Sequence, residues 1–318
     1  MASSSTCTPQ TQELIGILVH LLKVSVAPSS FKVYKRSWTL FKQCLSFLQV
    51  TQTTTVSLPL SVSQVALFVS YLHKHGYSPS SIVSYTSAIG YVHRISNFTD
   101  PTSAVLVQKL LSACLKLKPT VDPRLPITII ILQQIILALN TTVPSFSHRK
   151  LLKAMFIVAF FGLMRVGEIT MSTDKVVPLE LKQLRLSPTQ AIITITKFKH
   201  NKSMRPVDIP LPRQLITLIC PVEALQDYLS YRGLKPGPLF TLSGLSPVPR
   251  QFFIKHLRNA LSLCGYPLER YKSHSFRIGG ASYYADLGFS DAQLRLLGRW
   301  GSDAFLVYIR AHRALNSY

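Results

Sequence analysis

Ser273-His274-Ser275-Phe276-Arg277-Ile278-Gly279-Gly280 is followed by Leu297-Gly298-Arg299-Trp300-Gly301 and then by Tyr308-Ile309-Arg310. His274 and Arg277 are three residues apart, so a helix puts them on one face. Ser273 marks a helix start, where free N–H groups favour an anion. Gly279-Gly280 lets another backbone come close. The Trp300 indole can only donate, which suits a phosphate oxygen. Each piece alone is weak. A chain with this many His and Arg residues holds roughly half an accidental His-x-x-Arg pair. A lone tryptophan is normally core. Any one of thirteen tyrosines normally packs. Taken in order, the groups suit one kind of chemistry, in which a phosphodiester is held and then attacked by a phenol oxygen.

Upstream, Phe161-Gly162-Leu163-Met164-Arg165-Val166-Gly167-Glu168 ends an apolar helix on an arginine, with an acid three residues on. An arginine leaving a buried segment needs a partner or an anion. An Arg165–Glu168 ion pair is the plain alternative. Between these motifs the pattern changes. Residues 181–186, 191–197 and 205–211 are short and β-branched or alternating, with turns between them. They read as a small antiparallel sheet, with Lys197 ending its second strand and Lys199 and Lys202 following it.

Composition narrows the chemistry. The 318 residues are 47% apolar, too rich for a disordered chain. Net charge is +22, which favours a polyanionic partner over a neutral one. Acids are sparse, and no Asp-x-Asp, Glu-x-Asp or His-Glu-x-x-His pattern offers the clustered ligands of a metal-dependent nuclease. A protein of this kind that cuts DNA is expected to do so without metal. The apolar run from Ala154 to Met164 is about half a membrane span, and no secretory leader is read at the start. Five scattered cysteines without Cys-x-x-Cys read as reduced thiols in an intracellular protein.

Helical spacing and caps predict an all-helical first part: residues 11–23, 31–47, a helix from Ser61 or Ser63 to Gly76, one capped by Ser78 through Arg94, and 103–116. Pro28-Ser29-Ser30 reads as a break between the first two. Residues 1–120 hold ten Lys or Arg against two acids, Glu13 and Asp100. Lys32, Lys35, Arg36, Lys74 and Arg94 are the candidate phosphate contacts. Three prolines in eight residues, Pro119, Pro123 and Pro126, mark a linker. The expected organisation is a flexible 1–10, a helical DNA-binding domain 11–118, a linker 119–126 and a catalytic domain 127–318. The last domain should carry helices at 127–140, 147–164, 220–232, 249–264, 274–287 and 290–297, with a final one bearing Tyr308. The fold class is mainly α with a small antiparallel β-sheet.

The order Arg165, lysine-bearing hairpin, His274-x-x-Arg277, Trp300, Tyr308 resembles the tyrosine recombinases, the phage-integrase-like DNA strand-transfer enzymes. The motif flanks are most similar to recombinases of eukaryotic Crypton and DIRS-like mobile elements. The resemblance covers most of the chain and makes the first domain a core-binding domain. It implies that Arg165 and Arg277 clamp the scissile phosphate, a bidentate role for guanidinium. It implies that His274 is a proton acceptor or phosphate ligand and that Trp300 donates its N–H. Tyr308 then attacks phosphorus, forming a 3′-phosphotyrosyl link and releasing a 5′-hydroxyl. A hairpin lysine protonates that leaving oxygen; Lys199 is the first choice and Lys197 the second. Glu168 orients Arg165. No cofactor is implied. The implied partners are double-stranded DNA and further copies of the chain, a dimer on each site and a tetramer in synapsis, acting in the nucleus if the host is eukaryotic. Ten residues follow Tyr308, fewer than in many relatives, which implies different subunit docking or a shortened copy. Two other readings stay open: a non-catalytic DNA-binding descendant, and a type IB topoisomerase.

Overall fold

The computed structural model describes residues 8–49, 57–118, 123–171, 178–196, 205–301, 305–306 and 309. The chain divides into two compact units, Met1–Asp122 and Pro123–Tyr318.

The first unit is helical. Helix α1 (Pro9–Ser25) begins two residues before the expected start, because the Thr8 hydroxyl accepts from the Thr11 N–H and Pro9 sits in the first turn. Helix α2 (Pro28–Phe47) likewise includes Pro28-Ser29-Ser30, where a break is expected from sequence. Proline in a first turn loses no hydrogen bond, so it starts α2 rather than preceding it. Helix α3 (Val62–Lys74) starts in a capping box between Ser61 and Gln64, and Ser78 caps α4 (Pro79–Ile95). A 3-10 turn at Pro101–Ser103 leads into α5 (Val105–Leu117).

Phe41, Phe68, Leu72, Ile82, Ile89 and Val107 form the core of this unit, with Phe41 and Phe68 edge to face at 5.3 Å. Two polar features lock it. His93 is fully buried; its Nε2 accepts from the Leu60 N–H at 2.9 Å, and its Nδ1 lies 2.8 Å from the Ile89 C=O. That pairing makes Nδ1 the protonated nitrogen of a neutral ring. Gly90 makes room for Asp100, since a Cβ there would lie 2.7 Å from the carboxylate.

The second unit is built around α7 (Phe146–Phe161), in which every residue from Ala154 to Phe161 is buried. A helix apolar on all sides has to be surrounded. Helices α6 (Ile129–Thr142), α9 (Pro221–Arg232) and α11 (Ser275–Asp286) do this. Helices α8 (Val166–Ile169), α10 (Arg250–Leu263) and α12 (Asp291–Gly298) also belong to this unit.

Strands β1 (Leu184–Leu186), β2 (Gln190–Ile195) and β3 (Val207–Pro212) form an antiparallel sheet in the order β1-β2-β3. Ala191 pairs with Leu211 and Ile193 with Ile209, so one face is apolar and buried. The other face carries Thr194 opposite Asp208, joined at 2.6 Å, and Arg185 pairs with the same carboxylate. The Thr194 hydroxyl holds the Asp208 carboxyl below its ordinary value; burial opposes it and Arg185 adds to the lowering. The mainly helical class with one small antiparallel sheet is thus the observed fold.

Where α11 crosses its neighbours, Gly279 and Gly280 are required. A Cβ on Gly279 would lie 1.8 Å from the Ile127 carbonyl oxygen, and one on Gly280 2.3 Å from that of Phe160. The close approach served by this pair is therefore to the unit's own backbone. Pro123–Pro126, read as linker, is tied to the same unit. Leu125 N–H donates to the Arg270 C=O at 2.8 Å, and Ile127 N–H to the Ser275 C=O at 3.0 Å.

The four described cysteines, Cys44, Cys114, Cys220 and Cys264, are free, and burial pushes the Cys44 thiol up to about 11. Among the described residues no single helix is long and apolar enough to cross a membrane.

Candidate active site

Arg165 does not end α7, although its position after the apolar run predicts that it should. That helix stops at Phe161, and Leu163 turns the chain with a left-handed φ of 46°. Arg165 then stands at the N-cap of α8. Glu168, in the first turn of α8, reaches back to it. Its Oε2 accepts from the Arg165 N–H at 2.8 Å, and its Oε1 from Arg165 Nη1 at 3.1 Å. The Arg165 side chain keeps about a quarter of its surface in solvent, 26% against 10% for Glu168.

Helix α11 begins at Ser275, one residue after the expected 274, and its N-cap is His274 instead of Ser273, because a turn from Lys272 to Ser275 precedes it. His274 is its half-buried N-cap residue. Arg277, one turn on, is 1% exposed. Its terminal nitrogens donate to the carbonyls of Leu163 and Gly298, and its guanidinium carbon stands 4.2 Å from the centroid of the Trp300 ring. Trp300 in turn stacks on Phe305, centroids 5.4 Å apart. The indole folds back over the end of α12, where a Cβ on Gly298 would come within 1.7 Å of it. Only glycine fits beneath that ring.

Arg299 receives no role from sequence. It lies in the quoted Gly-Arg-Trp-Gly motif, yet an arginine after a helix reads as a solvated charge. In the structure it is 5% exposed. Nη2 donates to Glu168 Oε2 at 2.9 Å and to the Leu163 C=O at 3.1 Å; Nη1 donates to the Gly162 C=O at 3.3 Å and to that of Leu297 at 3.1 Å. Burial lowers the Arg299 pKa, Glu168 raises it, and the charge of Arg165 lowers it further. The guanidinium remains a cation at any physiological pH.

Three arginines thus gather around two turns with one carboxylate between them. The surplus charge of such a cluster is an anion-binding field. A recess of about 640 Å³ opens beside it, lined by Val207, Arg295, Leu296 and Trp300 among others. Among the described residues no three His, Cys, Asp or Glu side chains stand together as metal ligands.

The structure brings Arg165, Glu168, Arg277 and Trp300 into one contact network from segments distant in sequence. Tyr308, Lys197 and Lys199 lie outside the described residues. The candidate DNA contacts belong to the first unit. Lys32, Lys35 and Arg36 stand on α2, where Lys35 and Lys42 flank Trp38 along a shallow recess. Lys74 lies 4.8 Å over the Phe47 ring, and Arg94 pairs with Asp100.

The solved structures to which the chain is similar include three DNA-bound recombinases. The XerH site-specific recombinase in a post-cleavage complex with palindromic difH substrate superposes with a TM-score of 0.64 at 16% identity, over 90% of this chain and 79% of that one. A lambda integrase dimer bound to a COC′ core site gives 0.57 at 14%, over 96% and 82%. The Tn1549 transposon integrase with transposon right end DNA gives 0.56 at 13%, over 90% and 98%. The fold is that of the tyrosine recombinases. No protein-family model matches the sequence, and no curated protein does. In this chain the turns after α7 and α12 meet at Arg277 of α11, which donates to the carbonyls of Leu163 and Gly298 and lies against Trp300.

Proposed function

We propose that this chain is a site-specific DNA recombinase or transposase that cuts and rejoins DNA through a 3′-phosphotyrosyl intermediate. The observation that carries the reading is the convergence of Arg165, Arg277 and Trp300, with a surplus of positive charge, in a fold shared with DNA-bound integrases. Arg165 and Arg277 hold the non-bridging oxygens of the scissile phosphate and offset the charge that builds on phosphorus in the transition state. His274, at the start of α11, takes the phenol proton or binds the phosphate, and the Trp300 indole donates to a phosphate oxygen. Tyr308 forms the new O–P bond as the 5′-oxygen leaves, and Lys199 or Lys197 supplies the proton that oxygen needs. Reversal by a second 5′-hydroxyl restores the phosphodiester, so bond energy is kept and no nucleotide is consumed.

The first unit supplies DNA affinity, with Lys32, Lys35, Arg36, Lys74 and Arg94 as its phosphate contacts. Strand exchange of this kind needs two paired sites, so the working form is a homo-multimer on double-stranded DNA. The motif flanks support a relationship to the Crypton and DIRS-like mobile-element enzymes, acting in the nucleus of a eukaryotic host.

The test is a nicked suicide substrate in EDTA. The wild type is expected to give a covalent protein–DNA band that Tyr308→Phe abolishes. A band that survives that change, or that requires magnesium, overturns the mechanism. DNA binding without any band favours a non-catalytic descendant instead.

A further inference from the structure

Arg299 stands where a helix normally ends on glycine. It is the left-handed C-cap of α12, at φ 56° and ψ 45°. A residue with a Cβ is strained there. The neighbouring Gly298 cannot be exchanged with it, since Gly298 lies directly under the Trp300 ring. The strain is offset by what the side chain reaches. Four acceptors lie within 3.3 Å of its terminal nitrogens: Glu168 Oε2 and the carbonyls of Gly162, Leu163 and Leu297.

These acceptors belong to the two turns that present the site. Gly162, Leu163 and Glu168 form the turn that carries Arg165, while Leu297 belongs to the turn that carries Trp300. Glu168 divides its carboxylate between the arginines. Oε1 holds the Arg165 side chain, and Oε2 holds the Arg165 N–H and Arg299. Without Arg299, Oε2 loses its charged partner, and Glu168 is free to close its full charge onto Arg165. The Leu163 carbonyl also accepts from both Arg277 and Arg299, so the three guanidiniums are linked through shared acceptors.

The geometry assigns Arg299 as a positioning residue for phosphate binding: through Glu168 and the Leu163 turn it fixes the direction of Arg165, and through its backbone it fixes Trp300. This rests on the strand-transfer reading above. Arg299 itself does not touch the phosphate. It keeps Glu168 from neutralising the arginine that does.

Arg299→Gly tests this, because glycine suits the left-handed backbone and leaves a guanidinium-sized gap. Single-turnover cleavage of the suicide substrate at saturating DNA is expected to fall about 10²-fold, the scale of a small misplacement of reacting groups. DNA affinity should stay at the wild-type level. Added methylguanidinium, or Arg299→Lys, should recover part of the lost rate, which a packing role would not predict. Thermal unfolding of Arg299→Gly, Glu168→Gln and the double variant gives a readout that needs no activity. The two losses should be smaller together than their sum. A wild-type cleavage rate in Arg299→Gly overturns the assignment. So do additive losses, or a lowered rate that neither methylguanidinium nor lysine raises. A wild type that forms no covalent band overturns the strand-transfer reading, and this one with it, so that control separates the two failures.

Discussion

The guanidinium of Arg277 is stacked on Trp300, 4.2 Å from carbon to ring centroid, and its terminal nitrogens donate to the carbonyls of Leu163 and Gly298. One arginine therefore joins the turn after α7 to the turn after α12. A desolvated cation–π contact contributes about 2 kcal/mol, and removing the ring also opens a void. Trp300→Ala is expected to lower the melting temperature and to abolish the covalent band. Trp300→Phe keeps a ring over Arg277 and removes the N–H donor. It should melt close to wild type and cleave about 10²-fold more slowly, the usual cost of losing one donor to a developing oxyanion. Equal cleavage by Trp300→Phe and wild type would remove the indole N–H from the mechanism.

Gly279 and Gly280 are packing residues by geometry. Their absent Cβ atoms would lie 1.8 and 2.3 Å from backbone oxygens of Ile127 and Phe160. Neither oxygen belongs to a flexible side chain that could move aside. Gly279→Ala and Gly280→Ala should each destabilise the second unit by at least the roughly 1–3 kcal/mol of ordinary overpacking. Calorimetry should show that loss in the absence of DNA. A melting temperature equal to wild type in both would mean that α11 is not seated here.

His93 ties two segments of the first unit. Replacing it with leucine leaves the buried Leu60 N–H without its acceptor. An orphaned buried donor costs about 1–3 kcal/mol. Urea unfolding of His93→Leu should show that loss, with DNA cleavage per folded molecule unchanged.

Asp100 makes the same unit sensitive to acid. Burial alone would push its carboxyl up. The Thr102 hydroxyl and N–H, at 2.7 and 2.9 Å, and then Arg94 outweigh burial and hold it below the ordinary 3.8. A carboxyl depressed on folding contributes stability above its unfolded pKa, and that contribution is lost as pH falls through the folded one. Asp100→Asn should therefore melt lower than wild type at neutral pH. The gap should close as pH drops below 3.8. A gap that persists unchanged in acid would show that the carboxylate charge is not what matters.

Much of the fold is readable from residues. Alternation in β2 and β3 yields strands with Ala191, Ile193, Ile209 and Leu211 inward. Serine caps mark the starts of α3 and α4. Boundaries fail where proline or a left-handed residue acts. Pro28 begins α2 instead of preceding it, and Leu163 ends the α7 run before Arg165. Both differences come from backbone dihedral choices that hydrophobic periodicity does not encode.

The candidate site divides in the same way. Residue type and order along the chain, through the family resemblance they carry, single out Arg165, Glu168, His274, Arg277, Trp300 and Tyr308 as candidates; the structure gathers Arg165, Glu168, Arg277 and Trp300, and Tyr308 lies outside the described residues. Arg299 is invisible at that level. Its charge counts the same in sequence whether solvated or buried, and only the crossing of α7, α11 and α12 brings Glu168 and the Leu163 carbonyl within reach of it. The chain's composition and motifs singled out the candidate residues and the strand-transfer chemistry proposed for them. The tertiary structure decided where each guanidinium goes, because it buries Arg299 against Glu168 and the Leu163 carbonyl while the Arg165 side chain keeps about a quarter of its surface in solvent.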